Sequence, residues 1–346
     1  MKNLKLLFAS VLLIVFASAS VKAQTHKWRV NNNPAYNQAV AGVTVFNDLQ
    51  QAISTVAAGD TLYVESSLND YGIITINKEI HLIGTGYFLD QNEGLQNHLE
   101  SAKIRRVIFA AGASGSTLQG LEITGQASTV GITFNNTALS NIAISRCKVS
   151  STIDFDNNAS NTISNIVIKK CHLYGFSGSS GLVTGFTITN NIIRYFNLIP
   201  NLQATVSQNV FLNNVNFYGQ TFFNNILLGE ISENTNNTVN VHHNIFTIPQ
   251  PNWLIGGVNS FGMQQANIFL SLTGTDDEKY KVKPVAQCAA CYAGSPANVQ
   301  IGAFGGSDPY LLSGIPPIPT IYLLQSSATA TSPGSYDVLI STKANH

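Results

Sequence analysis

Asp154 and Asp156, in the segment Thr152-Ile153-Asp154-Phe155-Asp156, are the one closely spaced carboxylate pair in the middle of the chain. Alternate residues of an extended segment share a face. With Ile153 and Phe155 turned inward, the carboxylates therefore point outward, their Cα atoms about 6.5 to 7 Å apart. That spacing suits a shared Ca²⁺ ion, or the acid and base of an inverting glycosidase, with Arg194 as the accompanying cation. The competing reading is two solubilising aspartates, and it is favoured because no third carboxylate aligns with them. Other candidates carry a plainer alternative too. Cys288-Ala-Ala-Cys291 is compatible with a local disulfide, whereas a redox or zinc role needs a thiolate-stabilising helix N-terminus or two further ligands that no pattern supplies. His242-His243 reads as a bend. Tyr174, Tyr195, Tyr218 and Trp253 are able to stack on sugar rings, but they fall at different repeat positions, so core or turn packing explains most of them.

The elements that must position these residues come from an internal repeat, apolar-x-apolar-x-x-(Asn or Cys)-x-apolar. Its anchors are Cys147, Cys171, Asn191, Asn209, Asn225, Asn244 and Asn267, spaced by 24, 20, 18, 16, 19 and 23 residues, a mean of 20. One turn of a parallel β-helix uses about this many residues, and loops of differing length absorb the variation. The apolar pairs, such as Ile142/Ile144, Ile166/Ile168 and Phe186/Ile188, alternate with polar residues as in a strand with one buried face. The two residues after each pair, such as Ser145-Arg146 and Thr189-Asn190, are expected to make a bend that turns the anchor inward. Stacked Asn side chains then hydrogen-bond from coil to coil. Cys147 and Cys171 lie one coil apart, a spacing that a disulfide tolerates, but parallel in-register Cβ vectors disfavour bridging, so two stacked buried thiols are the favoured reading. Arg146 and Lys170 align one residue before their anchors, and Lys148 and His172 one residue after. They form a small basic patch, open to an acidic glycan or simply solvated. In later coils the position after the anchor becomes Ile192, Val210, Ile226, Ile245 and Ile268. Such an aliphatic stripe needs a cover, and residues 308–346 are the expected one.

On these residues the chain resembles the right-handed parallel β-helix proteins of the pectate-lyase-like superfamily, whose interior Asn ladders are similar to the column from Asn191 to Asn267. The segment FNDLQQAISTVAAGDTLYVE resembles their usual opening of a capping helix, a Gly-Asp turn and a first strand. Ser295-Pro296-Ala297 and Ile301 to Gly305 resemble their closing coil. The resemblance spans residues 43 to 306 and implies an all-β, right-handed parallel β-helix solenoid with a short N-terminal capping helix and a C-terminal β arm. It also implies polysaccharide as the partner class. Polyuronate lyases of this kind need clustered acidic Ca²⁺ ligands and an Arg or Lys base in one groove, and aligning the coils gives no such cluster.

Lys2 and Lys5, the apolar run Leu6 to Ala19 and Val21-Lys22-Ala23 read as a signal peptide cleaved near Ala23. The run is shorter than the ~20 residues of a membrane span, so a secreted or cell-surface protein without membrane insertion is expected. The division is 1–23 signal peptide, 24–306 β-helix with its N-terminal cap, and 307–346 Pro-rich β arm. The arm is also open to an attachment role, since the overall style resembles Bacteroidota-like secreted proteins. The 18 acidic and 18 basic residues balance, which disfavours nucleic acid as a partner. With 44% hydrophobic and 10% charged residues the chain is built to fold around a large core, and a monomer is expected. The functional expectation is surface or glycan interaction without catalysis and without a required cofactor. The alternatives are a polysaccharide lyase or glycoside hydrolase using Asp154, Asp156 and Arg194, and a structural spacer.

Overall fold

In-register stacking of short apolar strands organises the molecule. The column Leu62, Leu82, Leu118, Ile144, Ile168, Ile188, Val206, Phe222, Val241 joins consecutive coils residue by residue. All nine side chains are buried, each burial contributing about 1.5 to 3 kcal/mol. The structure, a computed structural model, describes residues 26–34, 45–92, 94–125, 130–135, 138–155, 162–178, 182–197, 202–217, 220–233, 240–296, 298–326 and 337–344.

Among these residues two eleven-stranded parallel sheets run along the stack, and a three-stranded parallel sheet adds a face in the later coils. The first runs from Lys27–Val30 and Val45–Phe46 to Asn240–His242, and the second from Ile73–Ile76 to Ile245–Phe246. The third contains Phe196–Asn197, Val215–Phe217 and Ile231–Glu233. This is the parallel β-helix that the repeat implies. Its open first coil is capped by the helix Leu49–Thr55, whose N-cap Asp48 accepts from Gln51 N at 2.7 Å and whose Leu49, Ala52 and Ile53 are buried. Behind the helix, burial works to raise the Asp60 pKa. Hydrogen bonds from His26 N, Trp28 Nε1 and Ala57 N outweigh it and hold the carboxyl below the usual range. Inside the stack Phe109, Phe134 and Phe155 lie face to face, with centroids 5.2 and 5.0 Å apart.

The corner after the first sheet explains the anchor pattern. Arg146, Lys170, Asn190, Gln208, Asn224 and His243 all adopt φ between 52° and 57°, and Gly120 has φ 63°. This left-handed residue turns the next side chain into the core. The inward column runs Leu121, Cys147, Cys171, Asn191, Asn209, Asn225, Asn244, so it grades from aliphatic through thiol to amide. Each amide is fully used. Asn225 Oδ1 accepts from Asn209 N at 2.9 Å and from Asn209 Nδ2 at 3.0 Å, while Asn225 Nδ2 passes a bond to Asn244 Oδ1 at 3.0 Å. The last rung differs from the sequence expectation: Asn244 bonds Asn259, at 2.9 Å from its N and 3.2 Å from its Nδ2. Asn267 instead lies exposed on the short helix Gln265–Ile268. Its Asn-Ile-Phe sequence mimics an anchor, but the chain has already left the stack.

From there the described residues of 264–316 run back along the outside as a strap. The position after each anchor supplies its seat. Ile192, Val210, Ile226 and Ile245 pack with Ile268, Phe269, Val282, Cys288, Cys291, Ile301 and Tyr310 in a second buried cluster. The stripe is covered as its composition demands, but chiefly by side chains between Ile268 and Ala303; of the arm from 308 onward, Tyr310 takes part. Parallel coils likewise end near Ser260, and Ser295 and Ala303 to Gly305 lie on the stack's outer surface without closing it, while Ala297 lies outside the described residues. The left-handed corner residues fasten the strap in order. Asn224 bonds Ser295, Asn190 bonds the carbonyls of Ala303 and Gly305, Lys170 pairs with Asp308, and Arg146 donates to the Ile315 carbonyl at 2.6 Å. At Gly120 a Cβ would sit 2.3 Å from Pro316 Cγ, so glycine leaves room for the strap to pass. The buried Asp277 carboxylate locks the far end, accepting from Asn92 Nδ2, Thr275 Oγ1, Tyr310 Oη and Ser313 N. The antiparallel pair Thr320–Ser326 and Val338–Lys343 follows, with Asn97 N donating to the Ile321 carbonyl.

Candidate functional site

Asp154 is the last residue of the strand Lys148–Asp154. It projects outward between the buried Ile153 and Phe155 and accepts from Ser177 Oγ at 3.1 Å. Thr133 and Ser177 are its register neighbours in the adjoining coils. Asp156 lies outside the described residues. Arg194 is two coils further on, at least about 10 Å away at ~4.8 Å per coil, and its guanidinium carbon lies 5.9 and 5.4 Å from the ring centroids of Tyr174 and Tyr195. The structure therefore does not bring Asp154 and Arg194 together. Among the described residues Arg106 reaches the Asp154 column, its Nη2 donating to Thr133 Oγ1 at 2.8 Å. Sequence alignment missed it because Arg106 belongs to the early coils, which lack an Asn or Cys anchor. No group of three or more His, Cys, Asp or Glu among the described residues is arranged to hold a metal ion.

The expected basic patch is taken up internally. Arg146 and Lys170 are buried under the strap. Burial lowers the Arg146 pKa, and Asp308 opposes that shift. Lys148 pairs with Glu122 at 2.8 Å and lies over the Phe88 ring. His172 meets Phe88 edge-on, and burial pushes its pKa down to about 4 against the pull of Asp277. Partners more than a hundred residues away, such as Asp308 and Ile315, are invisible to a comparison of neighbouring coils. His243 is a left-handed bend residue, with His242 stacked on Phe223. Cys288 and Cys291 form a disulfide, while Cys147 and Cys171 are buried thiols. Trp253 packs on the core beside Phe217, and Tyr218 lies outside the described residues.

Two features remain open on one outer face. The position that is aliphatic in late coils is Lys103, Glu122, Lys148 and His172 in early ones, joined in register. A pocket of about 540 Å³ opens over this charged stretch, walled by residues 88–91, 99–101 and Asp276. Burial would raise the Glu122 pKa, but the bonds from Lys148 and Ser101 Oγ hold it below the usual range. Two positions along the strand from His172 on the same face stands Tyr174. Its ring lies 5.1 Å from that of Tyr195 in the next coil, and the two are 38% and 36% exposed. Tyr280 of the strap, packed edge-on against Phe269, feels charges from both features: burial first and Asp276 second push its pKa up to about 12, with Arg194 opposing. The fold thus defines a parallel β-helix with a polar pocket and a tyrosine pair on one side. No family model, curated protein or solved structure matches the chain.

Proposed function

We propose that this is an extracellular β-helix protein, similar in architecture to the pectate-lyase-like superfamily, that holds a glycan along the Tyr174–Tyr195 face without cleaving it. The carrying observation is the pair of exposed tyrosine rings one coil apart with Arg194 near both. Aromatic faces at the surface suit the apolar faces of sugar rings, and the nearby Arg194 guanidinium offers N–H donors to sugar hydroxyls beside them. Export is supported by the signal-peptide-like pattern of Lys2, Lys5 and the apolar run Leu6 to Ala19, and by the Cys288–Cys291 disulfide, which suits an oxidising compartment. Binding is favoured over turnover because Asp154 and Arg194 stand apart.

A screen of immobilised polysaccharides tests this reading. Binding is expected to fall roughly tenfold or more in Tyr174→Ala and Tyr195→Ala, with no release of reducing or unsaturated ends. Absence of binding to every polysaccharide would defeat the proposal, as would cleavage lost in Asp154→Asn.

A further inference from the structure

We infer that the pocket over Glu122 and Lys148 receives a neutral, hydroxyl-rich sugar unit of that same glycan, an inference that rests on the glycan-binding reading above. The first ground is size: about 540 Å³ lies within the ~300 to 1,000 Å³ of small-ligand pockets. The second is how charge is distributed. Glu122 pairs with Lys148 at 2.8 Å, Glu100 with Lys103 at 3.2 Å and Asp276 with Lys279 at 3.3 Å.

Each of these lysines already faces a carboxylate. An incoming uronate would meet Glu100, Glu122, Asp90 and Asp276 with no uncommitted ammonium among the pocket's lysines, and so at a repulsive electrostatic cost. A sugar hydroxyl is suited to both partners at once, donating to a carboxylate lone pair and accepting from a lysine N–H. The floor is rigid, because Lys103, Glu122 and Lys148 project from consecutive paired strands. It lies one coil and two positions from Tyr174, roughly 8 Å between Cα atoms and within the reach of one glycan chain. The pocket thus takes a unit whose neighbours cross the tyrosines.

The test is calorimetric titration of the full protein with neutral oligosaccharides, oligouronates and de-N-acetylated amino-sugar oligomers, at low and high salt. Neutral ligands are expected to bind best, with affinity nearly independent of salt. Glu122→Gln is expected to weaken them roughly ten- to hundredfold. Glu100→Gln, at the half-exposed rim, serves as a second variant should Glu122→Gln unfold, and is expected to weaken them several-fold. Preference for oligouronates or for cationic sugars, with affinity falling steeply in salt, would overturn the inference. Neutral-glycan binding that is lost in Tyr174→Ala yet unchanged in both Glu variants would also overturn it, while leaving the glycan-binding reading intact. If no oligosaccharide binds the unaltered protein, both readings fall together.

Discussion

Asn224 and Ser295 hold each other by two hydrogen bonds: Asn224 Nδ2 donates to the Ser295 carbonyl at 2.7 Å, and Ser295 N donates to Asn224 Oδ1 at 2.9 Å. The same asparagine has φ 57°, so its backbone turns the coil corner while its side chain fastens the strap. Asn190 does both jobs one strap segment further on.

Separating the two roles gives the first prediction. Asn224→Gly keeps the left-handed bend and removes the fastening, whereas Asn224→Ala removes the fastening and adds about 1 to 2 kcal/mol of backbone strain. Both are expected to speed amide exchange in residues 291–302, and the alanine variant is expected to be the less stable in urea. Unchanged exchange in both variants would show that the apolar seat alone holds the strap.

The ladder is tested by a contrast between two asparagines. Asn209→Leu leaves neighbouring buried amides without partners and is expected to cost about 1 to 3 kcal/mol. Asn267→Leu, on an exposed helix, is expected to change stability by no more than about 0.5 kcal/mol. The urea midpoints of the two variants decide.

Thiol titration reads the cysteine assignment. The native protein is expected to react at no cysteine, the denatured protein at Cys147 and Cys171 alone, and the denatured, reduced protein at all four. Rapid labelling of the native state would place Cys147 or Cys171 outside the core.

His172 gives stability a pH dependence. Its folded pKa is lowered from 6.5 to about 4 by burial. Between those values the unfolded chain binds a proton that the folded one does not, so stability falls as pH drops through this window. Asp308 and Glu122 act lower. Their depressed folded pKa values contribute stability that is complete above the ordinary carboxylate pKa and lost as pH falls through the folded ones. His172→Leu is therefore expected to flatten the slope of melting temperature against pH between about 6.5 and 4, and an unchanged slope would exclude His172 as its source.

The coil pattern was legible because it is local. Ile142/Ile144 and Ile166/Ile168 announce strands, and Asn191 to Asn244 announce corners, each within one repeat. The site was less legible for two reasons. Its early coils replace the anchor with Ala102 and Leu121, so Glu122 and Lys103 carry no repeat signature. The strap also changes what its neighbours mean. Arg146 and Lys170 read as a surface patch in sequence and are internal fastenings in space, decided by Ile315 and Asp308. Asn267 shows the reverse error, a local motif whose tertiary setting has gone.

The strap also bears on how the molecule comes apart. A simple solenoid touches only neighbouring repeats, so its ends fray independently. Here the chain leaves the last coil and returns past Asn224, Asn190, Lys170, Arg146 and Gly120 toward the first. That path closes a mechanical circuit: the late coils cannot peel away without breaking contacts to the early ones. Pulling on the two ends of the stack would load the clasp before the coils, and unfolding should pass from gradual fraying to a single cooperative step.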